Sequence, residues 1–155
     1  MYKTAVRALI RHGIARMNDG DPEFMLKLGH PEAELIFPGD NSWSTMFRPV
    51  EKGRKAFVTH RGLEECRAFA DRFIAEALRY TIEDILVNGP PWNTRVAVRA
   101  VDSKPGEHGD EYNNRFISFL EITWGRLRRW EVYEDTERSA DWDRRRGLTE
   151  SSKVG

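Results

Sequence analysis

Apolar residues recur at two different periods along the chain, and the changes between those periods mark out its elements. Over residues 3–18, Val6, Leu9, Ile10, Ile14 and Met17 fall at helical spacing between arginines, which predicts an amphipathic helix. Asp19-Gly20-Asp21-Pro22 ends it and starts a short second helix with Phe24, Met25 and Leu28 turned inward. Residues 31–37 read as a strand. Residues 38–59, with Gly39, Pro49, Gly53 and the scattered aromatics Trp43, Phe47 and Phe57, read as a long loop holding a short edge strand. The three-and-four spacing of Leu63, Cys66, Phe69, Phe73, Ile74, Ala77 and Leu78 predicts the main helix over 62–79. Strands at 80–87 and 93–102 follow, separated by Gly89-Pro90-Pro91, and residues 103–109 read as a loop.

Residues 111–135 form a long β-hairpin around Trp124-Gly125, since glycine there accepts the positive φ of a two-residue turn. Uninterrupted alternation then places Ile117, Phe119, Glu121 and Thr123 on one face with Arg126, Arg128, Trp130, Val132 and Glu134. The other face carries Phe116, Ser118, Leu120, Ile122 and Trp124 with Leu127, Arg129, Glu131, Tyr133 and Asp135. Both faces are apolar with isolated charges, so both are expected to be covered. The order of elements predicts an α+β fold: a curved, mixed, mostly antiparallel sheet packed against about three helices.

The 155 residues, 39% hydrophobic, are the size of one domain, expected over 1–146 with a flexible tail at 147–155 where nothing is left to bury. The 25 basic and 25 acidic residues cancel. A net charge of zero gives no global field for a polyanion, so neither nucleic acid nor a membrane is expected as a partner. The single Cys66 makes no internal disulfide and no zinc motif, no metal site is expected, and the absence of an apolar signal stretch points to the cytoplasm.

Several short motifs occur in a telling order: Asn18-Asp19-Gly20-Asp21, Phe37-Pro38-Gly39, Arg61-Gly62, Tyr112-x-Asn114, Trp124-Gly125-Arg126 and Tyr133-Glu134-Asp135. Over roughly residues 4–138 the chain resembles the SnoaL-like branch of the nuclear transport factor 2 superfamily. The resemblance implies a cone-shaped helix-and-sheet domain with a central pocket, as in ketosteroid isomerases, polyketide cyclases, limonene epoxide hydrolases and members that only bind. Family catalytic groups are missing at the matching positions. Gly13 stands where the steroid isomerases have an oxyanion-binding tyrosine, and Phe37 where they have the general-base aspartate. The epoxide hydrolases' Arg-x-Asp is here Arg95-Val96-Ala97, and Val132 replaces their second aspartate, so epoxide hydrolysis by that route is not expected.

The family orientation implies that Arg95, Ala97, Trp130 and Val132 line the pocket, and alternation adds Arg99, Phe119, Glu121 and Arg128 to the wall. Phe37 and Trp43 complete the expected ligand-binding set, with Trp43 either roofing the pocket or plugging the core. Glu121 is the candidate acid–base group and Arg95 the candidate oxygen-orienting group. Each also has a structural reading: Glu121 paired with Arg128, Arg95 with Glu83 or Asp84. His12 and His60 are read as packing or surface residues. The resulting expectation is a cofactor-free isomerase, cyclase or dehydratase acting on a small hydrophobic oxygenated molecule, or else a non-catalytic binding domain. A homodimer is expected through the face carrying Phe116, Ser118, Leu120, Trp124, Glu131 and Tyr133.

Overall fold

The computed structural model describes residues 1–39, 41–46 and 57–147. Phe47 and residues 148–155 of the expected tail lie outside them. Helix α1, Tyr2–Asn18, buries Val6, Ile10, Ile14 and Met17 and packs across strand β3, Arg79–Asn88. Helix α2, Glu23–Leu28, folds back onto α1 at Gly13, where an added Cβ would lie 2.1 Å from Met25 Sδ. A side chain at position 13 would require the flexible Met25 side chain to move aside.

Strand β1 is Gly29–Pro38, and the short helix α3, Ser42–Thr45, interrupts the segment expected to be a loop. The expected edge strand is β2, Phe57–Arg61. The main helix α4 spans Leu63–Ala75 and ends earlier than its apolar spacing predicts, because Ala77 turns into the left-handed region at φ 52°. Strands β4, Thr94–Pro105, β5, Glu111–Thr123, and β6, Arg126–Glu134, follow, with β4 running three residues into the expected loop. Helix α5, Thr136–Arg145, closes the chain order, with Asp135 Oδ1 capping its N-terminus through the backbone N–H of Arg138 at 3.1 Å.

The six strands form one mixed sheet in the order β2-β1-β6-β5-β4-β3, in which β1 and β6 run parallel and every other pair antiparallel. The α+β class with a curved sheet is as expected, with five helices among the described residues where about three were expected. Phe69 of α4 anchors the core on the concave side, its ring centre lying 5.4 Å from Phe37, 5.8 Å from Trp43 and 5.9 Å from Trp130. Such offset and edge-on aromatic pairs add attraction beyond the area they bury.

The hairpin turn lies at Trp124-Gly125, both at positive φ, but the pairing beyond it breaks the expected alternation. Ile122 faces Leu127, whereas Glu121 faces Arg129, so Arg128 is the extra residue of a β-bulge. From that point the faces of β6 are exchanged. Trp130 lies opposite Leu120, Val132 opposite Ser118 and Glu134 opposite Phe116, all on the concave side. The expected grouping of Phe119 and Glu121 with Trp130 is thereby corrected. The expected dimer face is corrected with it, since Phe116, Ser118 and Leu120 are buried in the interior.

Candidate functional site

The side chains of β4 alternate regularly, and its inward positions are Thr94, Val96, Val98, Ala100, Asp102 and Lys104. The stripe that begins as apolar core thus ends by carrying a carboxylate inward. Asp102 is 6% exposed, and its Oδ1 has no hydrogen-bond partner among the described residues. It lines a cavity of about 20 Å³ with Phe37, Trp43, Tyr80, Tyr112, Val132 and Glu134. That is room for about one water molecule. Two further small cavities, about 30 Å³ each and almost wholly apolar, continue through the interior, and Trp130 borders both.

Two carboxyl groups therefore meet at the polar end of an apolar space. Burial pushes Asp102 up to about 7, against the backbone N–H of Asn114 and the charge of Lys104. Glu134 is pushed up to about 8, first by burial and then by the negative charge of Asp102. Asn114 Nδ2 holds the surrounding oxygens together, donating to Tyr112 Oη at 3.0 Å, to the carbonyl of Asp135 at 3.0 Å and to Glu134 Oε2 at 3.5 Å. Tyr112 Oη also lies 2.8 Å from Ser139 Oγ of α5, and burial raises the Tyr112 and Tyr80 hydroxyls well above the ordinary tyrosine range. At neutral pH such a site offers a neutral carboxyl that donates a proton and a second poised to accept or release one.

A buried plug closes this end. In α3, Asn41 Oδ1 accepts from the backbone N–H groups of Trp43 and Ser44, each at 3.0 Å, and Ser44 Oγ accepts from Asn41 N at 3.2 Å, which completes a capping box. Asp143 of α5 accepts from Ser42 N at 2.7 Å and Ser42 Oγ at 2.9 Å. Arg72 of α4 donates to Ser42 O and Oγ at 2.6 and 2.7 Å, and its guanidinium lies 3.8 Å from the centre of the Trp43 ring. His60 of β2 bonds Ser44 O through Nε2 at 2.9 Å. These contacts aim Trp43 into the cavity. Lys104, almost fully buried, is held by Glu76, and burial keeps its ammonium below the ordinary lysine range.

Of the residues singled out from the sequence, Phe37, Trp43, Trp130 and Val132 lie on the concave side. Arg95, Arg99, Phe119 and Glu121 do not. They occupy the outer face, where Arg95 Nε lies 3.7 Å from Glu121 and Arg99 Nε lies 3.2 Å from Glu83. Ala97 shares that face, and Arg128 sits exposed at the bulge. The expected pairing of Glu121 with Arg128 and of Arg95 with Glu83 or Asp84 is replaced by the direct cross-strand pair Arg95–Glu121. Glu134, Tyr112 and Asn114 were noted only as parts of motifs, and Asp102 and Tyr80 not at all, although the period-two stripe from Val96 and Val98 points to Asp102 when continued. Among the described residues no group of three or more His, Cys, Asp or Glu is arranged to hold a metal ion.

The α+β fold with its curved mixed sheet is shared with solved structures. Over 89% of this chain and 94% of its own, an NTF2-like protein of unknown function from Burkholderia pseudomallei K96243 superposes with a TM-score of 0.66 at 18% identity. IdmH of Streptomyces antibioticus, a proposed polyketide cyclase, matches over 86% of this chain and 94% of its own with a TM-score of 0.65 at 17% identity. The chain belongs to the SnoaL-like domain family, whose model matches residues 10–130. It is also 29% identical over 107 residues, 66% of its length, to isoleucine–tRNA ligase of Nocardia farcinica (strain IFM 10152), and spans 9% of that relative's length.

Proposed function

We propose that the protein binds a small, neutral, hydrophobic molecule bearing a carbonyl or hydroxyl oxygen on the concave side of its sheet, and moves a proton on it through Asp102 and Glu134. The observation that carries this reading is the meeting of two buried carboxyls, both raised to near neutrality, in an otherwise aromatic cavity. Glu134, neutral at pH 7, donates to the ligand oxygen, and Asp102 exchanges a proton with the adjacent carbon. Asp102 and Glu134 thus take over the role that the sequence assigned to Glu121 and Arg95. A ligand larger than a few atoms displaces the Trp43 ring or its neighbours, because the cavities are nearly filled as they stand.

The test is a thermal-shift screen of small ketones, enones and phenols followed by deuterium exchange at carbon in heavy water. A ligand at about 100 times its dissociation constant will add roughly 2.7 kcal/mol of stability. Binding with exchange supports the full reading. Binding without exchange leaves the non-catalytic alternative, and no shift across the screen overturns both.

We propose a homodimer through the outer face, which keeps Glu131 and Tyr133 of the residues first expected but not the buried Phe116, Ser118 and Leu120. Leu86, Ile117, Phe119 and Tyr133 stand exposed there among the ion pairs of Arg95, Arg99 and Arg129. Light scattering is expected to give twice the 18.0 kDa chain mass, reduced to one chain mass in Ile117→Lys. A parent protein that stays at one chain mass at high concentration sinks the dimer.

A further inference from the structure

The net charge of zero conceals an uneven distribution. Residues 1–18, 24–31, 85–101 and 122–130 contain no Asp or Glu, and the fold brings ends of all four stretches to one end of the molecule, opposite the plug. The hydroxyl of Tyr2 meets Thr94 Oγ1, the backbone N–H of Trp124 donates to Pro91 O at 2.7 Å, and Arg126 Nη1 donates to Lys27 O at 2.9 Å. Lys3, Lys27, Arg126 and Arg128 are exposed there, and among the described residues none is in a direct ion pair, Lys27 lying within electrostatic reach of Asp21 and Glu23. The nearest carboxylate along the hairpin, Glu121, already faces Arg95.

Two large aromatic rings project from the same end. Trp92 is 58% exposed and Trp124 69% exposed, and their centres lie 5.8 Å apart with the rings inclined at 42°. Trp124 holds φ at 50° in a turn position that suits Gly, Asn or Asp, so the turn itself gains nothing from a tryptophan. We propose that this end, through Trp92, Trp124 and the cations Lys3, Lys27, Arg126 and Arg128, docks on an anionic lipid surface.

Tryptophan favours the headgroup region because its ring is apolar and its N–H polar, and each nearby cation is drawn to acidic lipid. The patch is a protruding turn rather than a groove, which suits a flat bilayer and not a nucleic-acid strand. A centre-to-centre distance of 5.8 Å also leaves no space for a base between the rings, which takes two stacking steps of about 3.4 Å each. No helix among the described residues is long and apolar enough to cross a membrane, so the contact is docking and not insertion across it.

The experiment is co-sedimentation of the full chain with vesicles of phosphatidylcholine alone and of phosphatidylcholine mixed with phosphatidylserine, at low and high salt, with tryptophan emission recorded. Binding to the serine-containing vesicles, a blue shift and release by salt are expected. Lys27→Gln with Arg126→Gln will weaken binding about 25-fold, at about five-fold per charge. Trp124→Asn will keep or raise the melting temperature while losing most of the blue shift and at least ten-fold in binding. Three results would overturn the proposal: equal binding to both vesicle types, vesicle binding unchanged by Trp124→Asn, or binding to a single-stranded oligonucleotide with none to vesicles.

Discussion

The protein will lose stability as the pH rises from 4 to 9, and Glu134→Gln will remove about half of the loss, the Asp102 share remaining. Asp102 and Glu134 titrate in the folded state at about 7 and about 8, against ordinary values of 3.8 and 4.5. The folded chain therefore keeps protons that the unfolded chain has already released. The stability tied to these protons is complete below the unfolded values and is lost as the pH passes through the folded ones. The gap for either group corresponds to roughly 4 kcal/mol once it is ionised, and because the two repel each other the amounts do not simply add. Glu76 works in the opposite sense: burial raises it, but Arg72 and Lys104 outweigh burial and hold it below the ordinary range, so its contribution is lost only in acid.

Urea denaturation at pH 5, 7 and 9 should show Glu134→Gln about 3 kcal/mol more stable than the parent at pH 9 and nearly equal to it at pH 5. If the parent is equally stable at pH 5 and pH 9, the assignment of these carboxyls is wrong. The same pair governs turnover. On any substrate found, Asp102→Asn is expected to reduce the rate about a hundred- to ten-thousand-fold, with Glu121→Gln unchanged. A Glu121 effect with an intact Asp102→Asn rate would return the chemistry to the outer face.

Asp143→Ala will cost about 3 kcal/mol, because it removes two charge-assisted hydrogen bonds and leaves the buried N–H of Ser42 without an acceptor. For a chain of 155 residues that lowers the melting temperature by roughly 6–12 °C. Asp143→Asn will recover part of the loss, since its amide oxygen still accepts from Ser42 N. Trp43 should at the same time become accessible to a neutral quencher such as acrylamide. A melting temperature within a degree or two of the parent would mean that the plug is held by Arg72 and His60 without α5.

Most of the architecture was legible because it rests on local patterns. The helical stripes of α1 and α4, the Gly-Pro-Pro break and the turn at Trp124-Gly125 are each encoded within a few residues. The site was misread through a single position. A bulge inserts one unpaired residue and reverses everything after it, and the run Arg126, Arg128, Arg129 gives no local sign of which arginine is the extra one. A sign does exist three residues apart. Leu127 and Trp130 are the apolar members of a basic segment and would face opposite ways in a regular strand, so their shared inward position requires an irregularity between them. Asp102 escaped notice because its neighbours along the inward stripe are ordinary core residues, and its desolvation depends on Tyr80, Tyr112 and Trp43 from distant parts of the chain. Helix α5 has little apolar signature because its burial comes from Ser139, Trp142 and Asp143, of which two are polar and gain their partners only in the assembled fold.

The parallel contact between β1 and β6 also orders events in time. Strands β3 to β6 are joined in sequence by short connections and can pair as soon as they leave the ribosome. Strand β1 precedes its inner neighbour β6 by the whole of β2 to β5 and can pair with it only when β6 has been synthesised. Until then, the apolar row Leu35, Ile36 and Phe37 has β2 on one edge and nothing on the other. Closing so large a loop before its contacts are rewarded makes this pairing the slow step of folding. It also leaves the unfinished chain with an open strand edge, the feature through which nascent sheets aggregate. Substitutions that weaken the pairing of Leu35–Phe37 with β6 should accordingly slow folding, because these contacts form in its limiting step.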